Sequence, residues 1–308
     1  MPATSVRDLT IKDDDLVVAT HGRGFWILDD IMPLRQITAD IARASAYVFR
    51  PATAWRVRWN RNTDTPLPPD EPAAPNPPDG VVISYLLGPQ TPGPVTLEFL
   101  ETASGRILRR FSSDDPPDAP LPMANVADTW IRPPQRLSAA PGLHRFVWNL
   151  RFAPPAADEF EYPMTAVPRN TPKAPEGMWI MPGTYQIRLT AGGRVYRQAV
   201  AVRMDPRVKT PTADLALQFR LSQELDEAMR KIADARTTIE RHRAGAAGDT
   251  ATRLAASAAS LADVHAGLTH LFSTVQGADV RPTAVTDAAI DDILQKAEAV
   301  LAAASEIE

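Results

Sequence analysis

Apolar and polar positions alternate along this chain in two rhythms, and the change from one to the other divides it. Between Val81 and Met204 the period is two: Val95, Leu97 and Phe99 alternate with Thr96 and Glu98, and Tyr185, Ile187 and Leu189 with Gln186 and Arg188. That spacing puts one face of a strand in a core and the other in water. Further strands are predicted at 81–87, 106–111, 143–150 and 194–204, with Ser104-Gly105 and Gly192-Gly193 as hairpin turns. Six or more short strands with turn punctuation predict a β-sandwich over 80–205, of immunoglobulin or fibronectin type III kind. After Asp205-Pro206 the step lengthens to three and four. Leu221, Leu225, Ala228, Ile232, Ala235 and Ile239 form one stripe, Leu254, Ala258, Leu261, His265, Leu268, Phe272 and Val275 a second, and Ile290, Leu294, Ala297 and Leu301 a third. Such stripes are seams between packed helices. Short connections predict an antiparallel three-helix bundle over 206–308, with Thr212 and Thr286 as N-caps and Gly245, Gly248 and Gly277 marking helix ends.

The N-terminal block reads differently. Strand-like Leu16-Val17-Val18-Ala19 and Phe25-Trp26-Ile27-Leu28 flank Thr20-His21-Gly22-Arg23-Gly24, with a further strand at Val6 to Ile11. This predicts two or three strands with nothing in the chain to cover them, and an isolated hairpin is marginal in water. The first unit is therefore set at 1–50. Seven prolines between Pro66 and Pro78 mark 51–79 as an extended spacer. The connections 112–142 and 151–182 are also rich in proline and are expected to be surface loops.

Composition narrows the function classes. The 308 residues include 30 prolines, about twice the ordinary share, which must sit in loops, linkers and strand edges. A net charge of −4 offers no general attraction to nucleic acid, so none is expected as a partner. No apolar run approaches the roughly 20 residues that span a bilayer, and Met1-Pro2-Ala3-Thr4 lacks the features of a secretion signal. The absence of cysteine removes disulfides, thiolate nucleophiles and cysteine zinc sites together.

The run from Asp15 to Asp30, DLVVATHGRGFWILDD, resembles the closing blade of bacterial sortilin-like propellers, also described as BNR-repeat or glycosyl-hydrolase-like repeat proteins. Pro33-Leu34-Arg35-Gln36, the run from Gly142 to Arg151 and the run from Pro182 to Leu189 are similar to the region that follows the propeller there. The resemblance implies a fold that is mainly β plus α: the remnant of a β-propeller blade, then the sandwich, then the bundle. It also implies a secreted or periplasmic whole protein, with the propeller as partner in cis or in trans. The blades expected before Val6 are not in this chain, so no ligand or catalytic residue of a propeller carries over to it.

The remaining chemistry is sparse. No HExxH pair, nucleophile elbow, phosphate-binding glycine loop or dinucleotide fingerprint occurs, so no catalytic residue, metal site or cofactor is expected. His265 lies on a helix seam, where a buried hydrogen-bonded histidine is the ordinary explanation. His21 and Arg23 stand at a hairpin tip, where they would face a propeller rim or channel, but a turn held by Gly22 and Gly24 explains that motif without any ligand and is the preferred reading. Glu159, Glu161 and Tyr162 interleave acids with aromatics on a long loop, as a sugar or cation site would, or as one edge of a strand. Trp148 belongs to a core, whereas Trp130 and Trp179, with Trp55 and Trp59, adjoin proline-rich connections as binding platforms or as plugs between domains. The expected role is a non-catalytic accessory region that presents loops for protein or carbohydrate contact. The alternative is the C-terminal part of a BNR-type glycoside hydrolase whose active site lies in a propeller outside these residues.

Overall fold

The computed structural model describes residues 1–306 except 2, 60–73, 75, 119, 122–125, 164–166 and 168. The described residues are mixed β and α: three sheets, two short helices and three long C-terminal helices that pack together. Strands β1 (Val6–Lys12), β2 (Asp15–Thr20) and β3 (Phe25–Leu28) form an antiparallel meander that joins neither of the other sheets. The two-residue turn Asp13-Asp14 closes the first hairpin with Asp13 at φ 55°, a left-handed geometry that aspartate tolerates. Helices α1 (Met32–Gln36) and α2 (Ala39–Ala42) then lead into the body.

The body is built on two sheets. Strands β4 (Ala46–Val48), β6 (Val81–Leu87) and β9 (Gly142–Trp148) form one, in the order β4-β6-β9. The other, in the order β5-β11-β10-β7-β8, contains β5 (Ala54–Arg56), β7 (Thr96–Glu101), β8 (Ile107–Ser112), β10 (Gly183–Ala191) and β11 (Arg194–Met204). The two enclose one core. Ile83, Tyr85, Phe146 and Trp148 enter it from the first sheet, and Leu97, Phe99, Ile187, Leu189 and Val202 from the second. Trp148 stacks on Phe99 with ring centroids 4.0 Å apart, and its indole N–H donates to the Arg151 carbonyl at 2.9 Å. Burial pushes the Tyr85 phenol up to about 12, while its hydroxyl donates to the Ser138 carbonyl at 2.8 Å.

The two shortest strands fall in stretches that composition assigned elsewhere. β4 lies in the unit 1–50, with the adjacent Phe49 1% exposed, and β5 lies in the spacer 51–79. Three residues are too few to show a period, and their apolar side chains are recruited by sheets formed mostly by residues far along the chain.

Helices α3 (Thr212–Arg243), α4 (Gly248–Val275) and α5 (Ala284–Ser305) bury the stripes seen in the sequence, among them Leu225, Ile232, Leu261, Leu268 and Ile290. The caps shift slightly. Pro211 precedes α3 with Thr212 already helical, and Thr283, not Thr286, caps α5 by accepting from the Thr286 N–H at 3.2 Å.

Candidate functional site

The most unusual surface is the meander. Cross-strand register sets Leu9, Val18 and Trp26 side by side on one face, with Ile11, Leu16 and Leu28 as the next row. The opposite face carries Thr10, Val17 and Ile27, then Asp8, Ala19 and Phe25. Both faces are thus apolar over much of their width, and both are open: Phe25 is 77% exposed, Ile27 61% and Leu9 58%. Alternation of apolar and polar residues, the mark of a sheet with one wet face, is absent from Leu16-Val17-Val18-Ala19 and Phe25-Trp26-Ile27-Leu28.

One end of the meander is fixed to the body. The Arg145 guanidinium of β9 donates to the Asp29 carbonyl, the Asp30 N–H donates to the Asp15 carboxylate at 2.9 Å, and Arg35 donates to the Asp13 carbonyl at 2.7 Å. Gln36 binds Arg50 in both directions, accepting from its N–H at 2.9 Å and donating to its carbonyl at 2.8 Å. Burial raises the carboxyls of Asp29 and Asp30; Asp15 adds to the rise in each, and Arg145 opposes it.

The seven binding candidates do not converge. His21 and Arg23 sit exposed at the far tip of the meander, where Gly22 and Gly24 both adopt φ 70° and Thr20 donates to the Gly24 carbonyl at 2.8 Å. The others lie along or beside the connection 151–182. Glu159 and Glu161 are exposed; Glu161 exchanges backbone hydrogen bonds with Ala174. Tyr162 is buried and its hydroxyl accepts from the Leu121 N–H at 3.4 Å. Trp130 is half-buried where the two long connections pair through Ile131 and Thr171. Acids and aromatic close in sequence thus part company, Glu159 and Glu161 in solvent and Tyr162 in the interior.

Trp179 proves to be a plug. It is 3% exposed and lies under Arg151, whose guanidinium carbon is 4.0 Å from the ring centroid, with Arg56 and Arg58 at 5.5 and 5.6 Å. Arg56 and Arg58 meet Asp279, in the connection between α4 and α5. Its carboxylate takes hydrogen bonds from Arg56 and from Arg58, the latter at 3.0 Å, while Arg58 also donates to the Gln276 carbonyl at 2.7 Å. Burial pushes the Asp279 carboxyl up, but Arg58 and Arg56 together outweigh it and hold the group below the usual carboxylate range. Gln276 accepts from the Trp179 N–H at 3.2 Å and donates to the Ser222 hydroxyl at 2.7 Å. This buried polar seam joins sheets to helices, and sequence reasoning missed it: Arg56 and Asp279 are separated by 223 positions.

His265 is fully buried in the helical core with Nδ1 3.1 Å from the Asp158 carboxylate, and Arg236 binds the same carboxylate. The pair pins the loop 151–182 to the helices. Among the described residues, no group of three or more histidines and acids could hold a metal ion, and no helix is long and apolar enough to cross a membrane. Comparison with family models, curated proteins and solved structures finds no match to this chain.

Proposed function

We propose that this chain is a non-catalytic accessory region of a larger β-propeller protein of the sortilin-like, BNR-repeat kind. In this reading β1–β3 are the closing strands of its last blade. The two-sheet body is an immunoglobulin or fibronectin type III-like sandwich, and the helices are an antiparallel bundle. Sheets and helices together form a platform whose loops meet protein or carbohydrate, in a secreted or periplasmic setting.

The observation that supports this reading is the pair of apolar faces on β1–β3. A two-fold dimer through one face would leave the other in water, whereas a radial stack of sheets covers each blade on both sides. The open edges of β1 and β3 agree with a sheet that continues into further strands, since an unpaired edge is otherwise a hazard. Elsewhere the chain does shield an edge: the Gln135 side chain pairs with Val147 on β9, donating at 2.7 Å and accepting at 2.9 Å.

The test is reconstitution. A propeller expressed from the coding sequence immediately upstream of Met1 should bind the chain stably and suppress the dye fluorescence that exposed apolar surface produces. The variant carrying Leu9→Lys and Ile27→Lys, one charge on each face, should not bind. Lack of complex formation, or a complex indifferent to both substitutions, would overturn the assignment.

A further inference from the structure

The outward face of the five-stranded sheet carries a charge opposite to that of the chain as a whole. Register places Arg110, Glu98, Arg188 and Arg197 in one row across β8, β7, β10 and β11, and puts Arg203 beside Trp55 of β5 on the same face. Glu98 is held by Arg188 at 2.7 Å, and among the described residues Arg110 has Asp115, 3.9 Å away, as its ion-pair partner. Among the described residues Arg197 and Arg203 have no ion-pair partner. Arg197 stands directly opposite Arg188, and because Glu98 binds Arg188 from the other side, the like-charge repulsion on Arg197 is only partly offset.

Small side chains separate the arginines. Ala199 and Ala201 are exposed, and their cross-strand neighbours Gln186 and Thr184 offer an amide and a hydroxyl. At about 3.3 Å per residue, Arg197 and Arg203 stand roughly 20 Å apart along β11. Trp55, 44% exposed, stands at one end of this strip with the Arg203 guanidinium 6.0 Å from its ring.

We infer that this face binds an acidic polysaccharide, with uronate carboxylates on Arg197, Arg188 and Arg203 and a sugar ring against Trp55. Guanidinium groups grip carboxylates through two parallel hydrogen bonds, and the indole offers an apolar face with a polar rim. The inference rests on the interaction role proposed above for its class of partner, but it uses a surface remote from β1–β3. An acidic peptide fits less well. Beside Trp55 the edge of β11 is taken by β5 and, at Gln198, by a 3.1 Å bond to the Val48 carbonyl, so a peptide lying between Arg203 and Arg197 would meet an edge already partly occupied. Nucleic acid would demand a denser basic field than four arginines on a chain of net charge −4.

Native electrophoresis through gels containing polygalacturonate tests this, with dextran and polyglutamate gels as controls. The chain should be retarded by polygalacturonate alone. Charge reversal at Arg197→Glu with Arg203→Glu should weaken retardation at least about tenfold, the loss of one good charge-assisted contact, and Trp55→Ala should weaken it too. Melting temperature should not fall, because like-charge repulsion across Arg188 and Arg197 is relieved, and Arg197→Gln with Arg203→Gln gives the same test if the reversal misfolds. No retardation at low salt, equal retardation by polyglutamate or dextran, or unaltered retention of the arginine variants would each overturn the inference. Propeller binding through β1–β3 is read in a separate assay, so failure of one does not imply failure of the other.

Discussion

Replacing Asp279 with asparagine isolates the charge at the seam between sheets and helices. The side chains of Asp279 and Arg56 are each 3% exposed, so removing the carboxylate charge leaves a buried guanidinium with neutral acceptors, the Ile180 carbonyl at 2.9 Å and the introduced amide oxygen. Breaking a buried pair from one side costs about 3–5 kcal/mol, because the abandoned charge stays desolvated. Arg58, with 23% of its side chain exposed, can turn outward and so adds little to that figure. Urea unfolding followed by tryptophan fluorescence is the suitable assay, since Trp179 lies against these arginines. The double variant Arg56→Met with Asp279→Leu should recover much of the loss, because a packed apolar pair removes the stranded charge. The pH dependence follows from the depressed carboxyl of Asp279. Its stabilisation is full above the ordinary aspartate value of about 4 and disappears only as pH falls through the lower folded value. A loss below about 1 kcal/mol for Asp279→Asn at pH 7 is the size of a hydrated surface pair and would refute the reasoning.

Two further outcomes are expected. Burial raises the Asp226 carboxyl more than Arg230, at 2.7 Å, lowers it. The charged form is therefore penalised in the folded state, and stability grows as pH falls through the raised folded value. Asp226→Asn should raise the urea midpoint at pH 7 and lose that advantage in acid; a lowered midpoint at pH 7 would show that the Arg230 contact outweighs burial. At Gly80, φ is 134° and an added methyl would stand 2.0 Å from the Trp148 carbonyl oxygen, whereas at Gly22 it meets open space. Gly80→Ala should cost more than about 4 kcal/mol or prevent folding, against about 1–2 kcal/mol for the strained backbone alone at Gly22→Ala. Equal melting of the two variants would be incompatible with that close approach.

Much of the body was legible because its signals are local. Period two at Leu97 and Phe99 and at Ile187 and Leu189 marked residues that prove fully buried, and Trp148 went to the core as its alternation with Phe146 and Leu150 indicated. The helical stripes were equally plain. What the sequence hid is tertiary. β4 and β5 have no period to read. Trp179 read as a binding platform or, more often, a plug, and Tyr162 as part of a sugar or cation site or of a strand edge; packing buries both. The arginine row on the outer sheet face was invisible because Arg110, Arg188 and Arg197 become neighbours through strand order alone. The meander was the reverse case: its short apolar runs already marked strands that nothing else in the chain covers.

The paired amide contacts between Gln36 and Arg50, with Arg145 on the Asp29 carbonyl, do more than hold an N-terminal sheet in place. They remove the swivel that a flexible tether would leave at this point. A partner stacked on β1–β3 and a chain lying along β11 would then be related by one set rotation instead of a wide cone of directions. Geometry, rather than proximity alone, would decide which two bodies this protein can hold at once.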